Sequence, residues 1–312
     1  MEQLNDLFVQ FMHERRSTGA AAATLRGYES SYKLFTGLMP GIGLEDITRE
    51  TLVNFFDKLK TRERDPRESK KKIGVENTTL ITYRNKLGSF FRWLKKRKLI
   101  ETSPFEDLKM ARPVEAGRIY LINEEVNKIF TAIEFNIKWK NKLIKKRNLA
   151  IISTALFLGL RKGEILGLKM SDIYLDRKQL LVRGATSKSK KTRIIPINNS
   201  ALSILLDYLE ERRKKNYLNE YLFVSDNKDV KFTDHGLKHM LAKVENRVGF
   251  SFHIHQFRHT FGCNLKKIGY DVYEIMQFLG HSDIRMTAKY LRSFPVEDVR
   301  NKLNDMGLGE LM

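Results

Sequence analysis

The sequence predicts a mainly α-helical protein with one small antiparallel β-sheet, divided into two domains. Three observations carry this. Apolar residues recur at steps of three and four through most of the 312 residues. One pair of short runs, residues 180–183 and 193–197, flanks a Lys/Ser/Thr turn in the pattern of a hairpin. Residues 109–118 contain Pro113 and Gly117 and lack apolar periodicity. They read as the join between a helical domain at 1–112 and an α+β domain at 121–312, with 113–120 as the linker.

The first predicted helix, residues 4–15, places Leu4, Leu7, Phe8, Phe11 and Met12 on one face. A second, 24–38, does the same with Leu25, Tyr28, Tyr32 and Phe35. A third starts near Thr48, with Ile47 as a staple residue, and carries Leu52, Phe55, Phe56 and Leu59. Residues 61–75 are charged, include a proline and a glycine, and read as a surface loop. The fourth helix, 77–98, carries Leu80, Tyr83, Leu87, Phe90, Phe91 and Leu94. Its terminal Lys95, Lys96, Arg97 and Lys98 suit a helix C-terminus and can also meet phosphates. Ser103 and Pro104 open a short helical turn. In the second domain a helix begins with Asn123 as N-cap and Glu124 and Glu125 in its first turn. A buried helix covers 143–160. After the hairpin, helices follow at about 200–215, 233–247, 255–268, 271–279 and 283–291. A last amphipathic piece spans 295–306, with Val296, Val299, Leu303 and Met306 on one stripe.

Composition narrows the function. The chain has 57 Lys+Arg against 37 Asp+Glu, a formal net charge of +20. Residues 1–112 carry +7 and residues 113–312 carry +13. Both domains therefore suit one polyanion, and double-stranded DNA is the obvious one. The single cysteine, Cys263, excludes an intrachain disulfide, and no Cys/His spacing suggests a zinc site. The apolar run near 150–160 is too short to span a bilayer. The acidic start, Met-Glu-Gln-Leu-Asn-Asp, lacks the basic opening of a signal peptide. The expectation is a soluble, cytoplasmic protein without cofactor or metal.

Several residues carry candidate chemistry. Arg161 lies between Gly159 and Gly163 directly after the buried helix, where the backbone can approach a ligand. Its guanidinium offers a fixed fork to phosphate oxygens. Glu164, three residues on, shares its helical face and can orient Arg161 or a nearby imidazole. His255 and Arg258 are three apart on one predicted helix, so both can point at one site. Lys188 sits in the hairpin turn with Lys190 and Lys191 as rivals for the role of proton donor. His281 lies in a Leu-Gly-His turn, and Tyr290 follows nine residues later as a candidate nucleophile. Taken singly, each has an ordinary reading: a surface ion pair for Arg161, a structural helix residue for His255, a phosphate contact for Lys188, a core or interface residue for Tyr290.

In this order the set resembles the tyrosine recombinase (phage integrase) family, in its Xer-like or simple mobile-element branch. The motifs are Gly-Leu-Arg-x-Gly-Glu, His-x-x-Arg-His, Leu-Gly-His-Ser and the nine-residue step to tyrosine. Arg161, Lys188, His255, Arg258, His281 and Tyr290 match the family's six active-site positions. Lys188 is preferred over its neighbours because the family's lysine stands five residues before the strand-opening basic residue, here Arg193. The resemblance is strong over 121–292. Residues 1–112 look like the family's helical core-binding domain. The chain departs from the pattern in the long charged loop at 61–75 and in Phe257, where leucine is usual.

The resemblance implies a site-specific recombinase that cuts and rejoins strands through a 3′-phosphotyrosyl intermediate, in integration and excision or in dimer resolution. It implies paired half-sites, a tetrameric synapse, an exchange helix at 295–306, and an accessory factor or partner recombinase as a further possibility. A type IB topoisomerase-like enzyme and a catalytically silent DNA-binding relative are the alternatives.

Overall fold

The computed structural model describes residues 2–63, 73–108, 110–111, 120–184, 191–225 and 229–288. The chain divides into two compact units, Met1–Ala116 and Gly117–Met312.

The first unit is built on four helices: α1 (Glu2–Ser17), α2 (Ala22–Leu38), α3 (Arg49–Thr61) and α4 (Asn77–Lys96). The apolar stripes read from the sequence face inward. Leu4, Phe11, Phe35, Leu52, Phe55, Leu59, Leu87, Phe90 and Leu94 are buried in one core. Phe90 is its hub, edge-on to Phe8 and Tyr32 and beside Phe11, Phe91 and Trp93. Thr48 caps α3 by accepting from the Thr51 N–H, and Ile47 before it and Leu52 in the first turn share the core. α4 stops two residues short of the expected 98, because Lys98 takes a left-handed φ of 57°. Ser103–Glu106 is a turn closed by the Glu106 N–H on the Ser103 carbonyl, with no helix among the described residues up to 111. Glu63 and Ile73 pair as an antiparallel bridge at the base of the charged loop, whose residues 64–72 lie outside the described ones.

The second unit begins with α5 (Asn123–Thr131), which runs into a wider π turn at Ala132–Asn136 that the sequence did not announce. Asn123 is the first helical residue and Ile122 the cap. With no acceptor on Ile122, capping comes from Glu125, whose carboxylate accepts from the Ile122 N–H. α6 (Lys142–Phe157) is buried on almost every face and packs against both α8 (Asn199–Lys214) and α10 (Ile254–Lys267). Between α6 and α8 lie the short α7 (Lys162–Gly167) and a three-stranded antiparallel sheet. Its strands are β1 (Ile173–Tyr174), β2 (Gln179–Val182) and β3 (Arg193–Pro196), in that order. Leu180 pairs with Ile195 and Val182 with Arg193, the expected hairpin. β1 was not expected, two residues being too few to show alternation. The unit is completed by α9 (Asp234–Val248), α11 (Val272–Leu279) and α12 (Ile284–Ala288). Among the described residues no helix is long and apolar enough to cross a membrane.

The sequence has two tryptophans, Trp93 in the first unit and Trp139 in the second. In a Trp139→Phe background, Trp93 fluorescence follows the first unit alone. Phe90→Ala in that background is expected to lower its unfolding free energy by about 3–5 kcal/mol, through the lost ring and the cavity left behind. Urea titration reads this directly.

Candidate active site

α6 ends at Phe157 with Leu158 as its C-cap, and Gly159 turns the chain with a φ of +62°. A Cβ there would lie 2.3 Å from the Phe261 ring, so glycine is required for both conformation and space. Arg161 follows in extended conformation as the cap of α7. Glu164 accepts the Arg161 backbone N–H at 2.9 Å and the Arg161 Nη1 at 2.9 Å.

Glu164 is fully buried and does more than hold its neighbour. Arg193, at the start of β3, donates Nη1 to Oε1 at 3.1 Å and Nη2 to Oε2 at 2.9 Å, a bidentate pair. Arg258 Nη1 lies 3.8 Å from Oε2. One carboxylate thus gathers three guanidiniums. Burial alone would raise the Glu164 pKa. The hydrogen bonds and charge of Arg193, the Arg161 N–H and the charge of Arg258 outweigh it and bring it to about 2.

The same three arginines grip the end of α11. Gly280 takes φ +60°, its N–H donates to Gln277 O, and the His281 N–H donates to Met276 O, which closes a Schellman turn. The next three carbonyls each accept from a different arginine. Phe278 O accepts Arg193 Nε at 3.0 Å, Leu279 O accepts Arg258 Nη2 at 2.5 Å, and Gly280 O accepts Arg161 Nη2 at 3.1 Å. Arg258 Nη1 also donates to Gly159 O at 2.5 Å, so it ties the two glycine turns together. A Cβ on Gly280 would come within 2.8 Å of Arg193 Nη1.

His281 is buried, and its Nδ1 lies 2.9 Å from the Thr287 hydroxyl on α12. Burial first, then the charges of Arg258, Arg161, His259 and Arg193, push its pKa down to about 3, so it is neutral at physiological pH. His255 stands in the first turn of α10, three residues before Arg258, with much of its surface open to solvent. Its pKa is also lowered, by partial desolvation of the ring and then by Arg258, His253, Lys162 and Arg161.

The fold therefore gathers Arg161, Glu164, His255, Arg258 and His281 into one cationic site. Lys188 and Tyr290 lie outside the described residues, as do the predicted exchange helix at 295–306 and residues 113–119 of the expected linker. Glu164 orients arginines and not an imidazole. The sequence reading missed Arg193 as a member of the cluster. It noticed Arg193 only as the basic residue opening β3, and no local pattern ties it to Glu164, 29 residues earlier.

The profile of the Phage integrase family matches residues 120–296, more than half of the chain. The chain belongs to the phage integrase family. It is a tyrosine recombinase, an enzyme of site-specific DNA recombination that cleaves and rejoins DNA. It is 28% identical over 306 residues to the tyrosine recombinase XerC of Bacillus pumilus (strain SAFR-032), covering 93% of this chain and 91% of that protein. Its fold matches the Tn1549 transposon integrase in complex with a circular intermediate DNA at a TM-score of 0.72 and 17% identity, over 96% of this chain and 98% of that one. It also matches the XerH recombinase bound to its difH substrate at a TM-score of 0.66 and 20% identity, over 93% and 81%. At such identities these two likenesses are of fold.

Glu164→Gln leaves three guanidiniums facing a neutral group and is expected to cost about 3 kcal/mol or more of stability. His281 has an ordinary pKa of 6.5 and about 3 in the folded chain. Between those values the unfolded chain binds a proton there and the folded one does not, so stability falls as pH drops through the window. Glu164, depressed to about 2 from 4.5, adds its own loss below 4.5. In pH-dependent denaturation, His281→Gln should flatten the slope between pH 6.5 and about 4 and leave the steeper loss below it.

Proposed function

We infer that this recombinase exchanges DNA strands by transesterification at the site built on Glu164. The observation that carries this is the cluster itself: Arg161 and Arg258 set around one buried carboxylate and held by the Gly280 and Leu279 carbonyls, with a neutral histidine bonded to the Thr287 hydroxyl beside them, in a chain of the phage integrase family. Arg161 and Arg258 bind the non-bridging oxygens of the scissile phosphate, and His281 adds a third donor. The Tyr290 hydroxyl oxygen attacks phosphorus. A bond forms between Tyr290 and the 3′-phosphate, and the bond to the 5′-oxygen breaks. Lys188 supplies a proton to that oxygen, and His255 takes the one leaving Tyr290. His255 suits this role because its lowered pKa keeps it neutral and able to accept a proton. An ordinary phenol, with a pKa of about 10, needs such a cationic surrounding as charge develops. Attack by the 5′-hydroxyl of a second strand reverses the steps and releases Tyr290. The bond energy is retained in the protein–DNA link, so no external energy source is consumed.

The partner is double-stranded DNA with paired half-sites, contacted by the helical domain at 1–112 and by the catalytic domain. Four protomers form the synapse, with the segment at 295–306 linking neighbours, and the protein works in the cytoplasm. The Tn1549 integrase and XerH structures, both with DNA, support the choice of DNA as partner. The site chemistry is equally compatible with integration and excision of a mobile element and with dimer resolution, with or without an accessory protein.

Half-sites selected by binding from a random-sequence pool provide the substrate for two tests. On a nicked suicide duplex, the wild-type chain should form a covalent adduct. Tyr290→Phe should bind equally well and form none, and a persisting adduct in that variant rules out Tyr290 as nucleophile. With sulfur in place of the 5′-bridging oxygen, the leaving group needs no proton. Lys188→Ala should then regain cleavage while Arg161→Ala stays inactive. Rescue of Lys190→Ala instead moves the proton donor to that residue.

A further inference from the structure

Thr287 has no role in the chemistry above, yet it is buried and its hydroxyl lies against the His281 ring. We propose that Thr287 is a positioning residue for strand cleavage: its hydroxyl donates to His281 Nδ1 and thereby keeps the ring proton on Nε2 for the scissile phosphate. The inference rests on the reading of His281 as a phosphate donor and deepens it.

Three observations lead there. The 2.9 Å separation of Nδ1 and Oγ1 is a good hydrogen bond, and both residues are more than nine-tenths buried. His281 is neutral, so one ring nitrogen carries the hydrogen and the other does not. The partner of one nitrogen therefore decides the state of the other. A hydroxyl can donate or accept, and the ligand separates the two cases. If Nδ1–H donated to Thr287, Nε2 would turn a lone pair toward an anionic oxygen, which is repulsive. If Thr287 donates, Nε2–H offers that oxygen a hydrogen bond.

The position of Thr287 adds a second consequence. It lies on α12, three residues before Tyr290 in sequence, while His281 lies on the Schellman turn whose carbonyls hold Arg161, Arg193 and Arg258. The Thr287–His281 bond thus joins the segment that leads to the nucleophile to the turn that holds the arginines. Thr287→Val keeps the shape of the side chain and removes the donor. Thr287→Ser keeps the donor and removes the methyl group.

The full-length protein, labelled with 15N at histidine, gives the decisive measurement. The His281 signals, assigned by their loss in His281→Gln, should show the Nε2–H tautomer in the wild type and in Thr287→Ser. In Thr287→Val they should show a mixture or the Nδ1–H form, with circular dichroism unchanged. Adduct formation on the nicked duplex should slow about tenfold or more in Thr287→Val, the size expected for one buried hydrogen bond. Thr287→Ser should stay within about threefold of wild type, and Thr287→Val should add nothing in a His281→Ala background. A wild-type His281 with its proton on Nδ1, or a Thr287→Val chain with unchanged tautomer and unchanged cleavage, overturns the proposal. Absence of cleavage by the wild type refutes the recombination chemistry instead, and the tautomers of wild type and Thr287→Val still decide the role of Thr287.

Discussion

A buried carboxylate that neutralises only part of the charge around it is the constraint on which this catalytic unit turns. Glu164 accepts from Arg161 and Arg193 and lies within ion-pair distance of Arg258. Three guanidiniums beside one carboxylate leave a local excess of two positive charges, since His281 is neutral. Such a cluster repels itself, and desolvation makes matters worse. The fold answers with the end of α11, where the Phe278, Leu279 and Gly280 carbonyls each take one arginine. Those are the unsatisfied acceptors at the negative end of a helix, so the arrangement removes two problems at once. It also explains the glycines. Gly159 and Gly280 hold left-handed turns in which side chains would strike Phe261 and Arg193.

What could be read from the sequence divides along a physical line. Local periodicity is a property of neighbours in the chain, so α1 to α4, α6 and the helices from α8 to α11 could be traced from apolar spacing alone. The hairpin of β2 and β3 could be traced for the same reason. Features without local periodicity could not. β1 is two residues long, the π turn at Ala132–Asn136 looks like ordinary helix, and the Ile122 cap works through Glu125 in place of its own side chain.

The site shows the same division. Arg161 with Glu164 and His255 with Arg258 are three apart, so one helical face implies their proximity. Their assembly with His281 followed only from the family pattern, because it joins three segments, the first 99 residues from the second and 119 from the third in sequence. The Arg193–Glu164 pair joins a strand to a helix, and no spacing rule reaches across that gap. Thr287 was hidden differently. A threonine in a short helix usually bonds its own backbone, and only the fold reveals that its hydroxyl meets a histidine.

The arrangement also relates stability to function. A site whose cations exceed its anions is less stable empty than it would be with the charge balanced. In the reaction proposed above, a phosphodiester would supply the missing negative charge and would meet donors whose carriers are already fixed by Glu164 and the α11 carbonyls. Little reorganisation is then needed when charge develops on the phosphate, which is the condition under which fixed dipoles and cations lower a barrier most. Binding at this point also stabilises the folded unit by linkage, since the unfolded chain offers no such cluster. Arg193 fits this account through its contacts with Glu164 and α11. It neutralises Glu164 and holds the α11 turn, leaving Arg161 and Arg258 in fixed positions. The same side chain opens β3, so that strand is anchored to the carboxylate that orders the arginines.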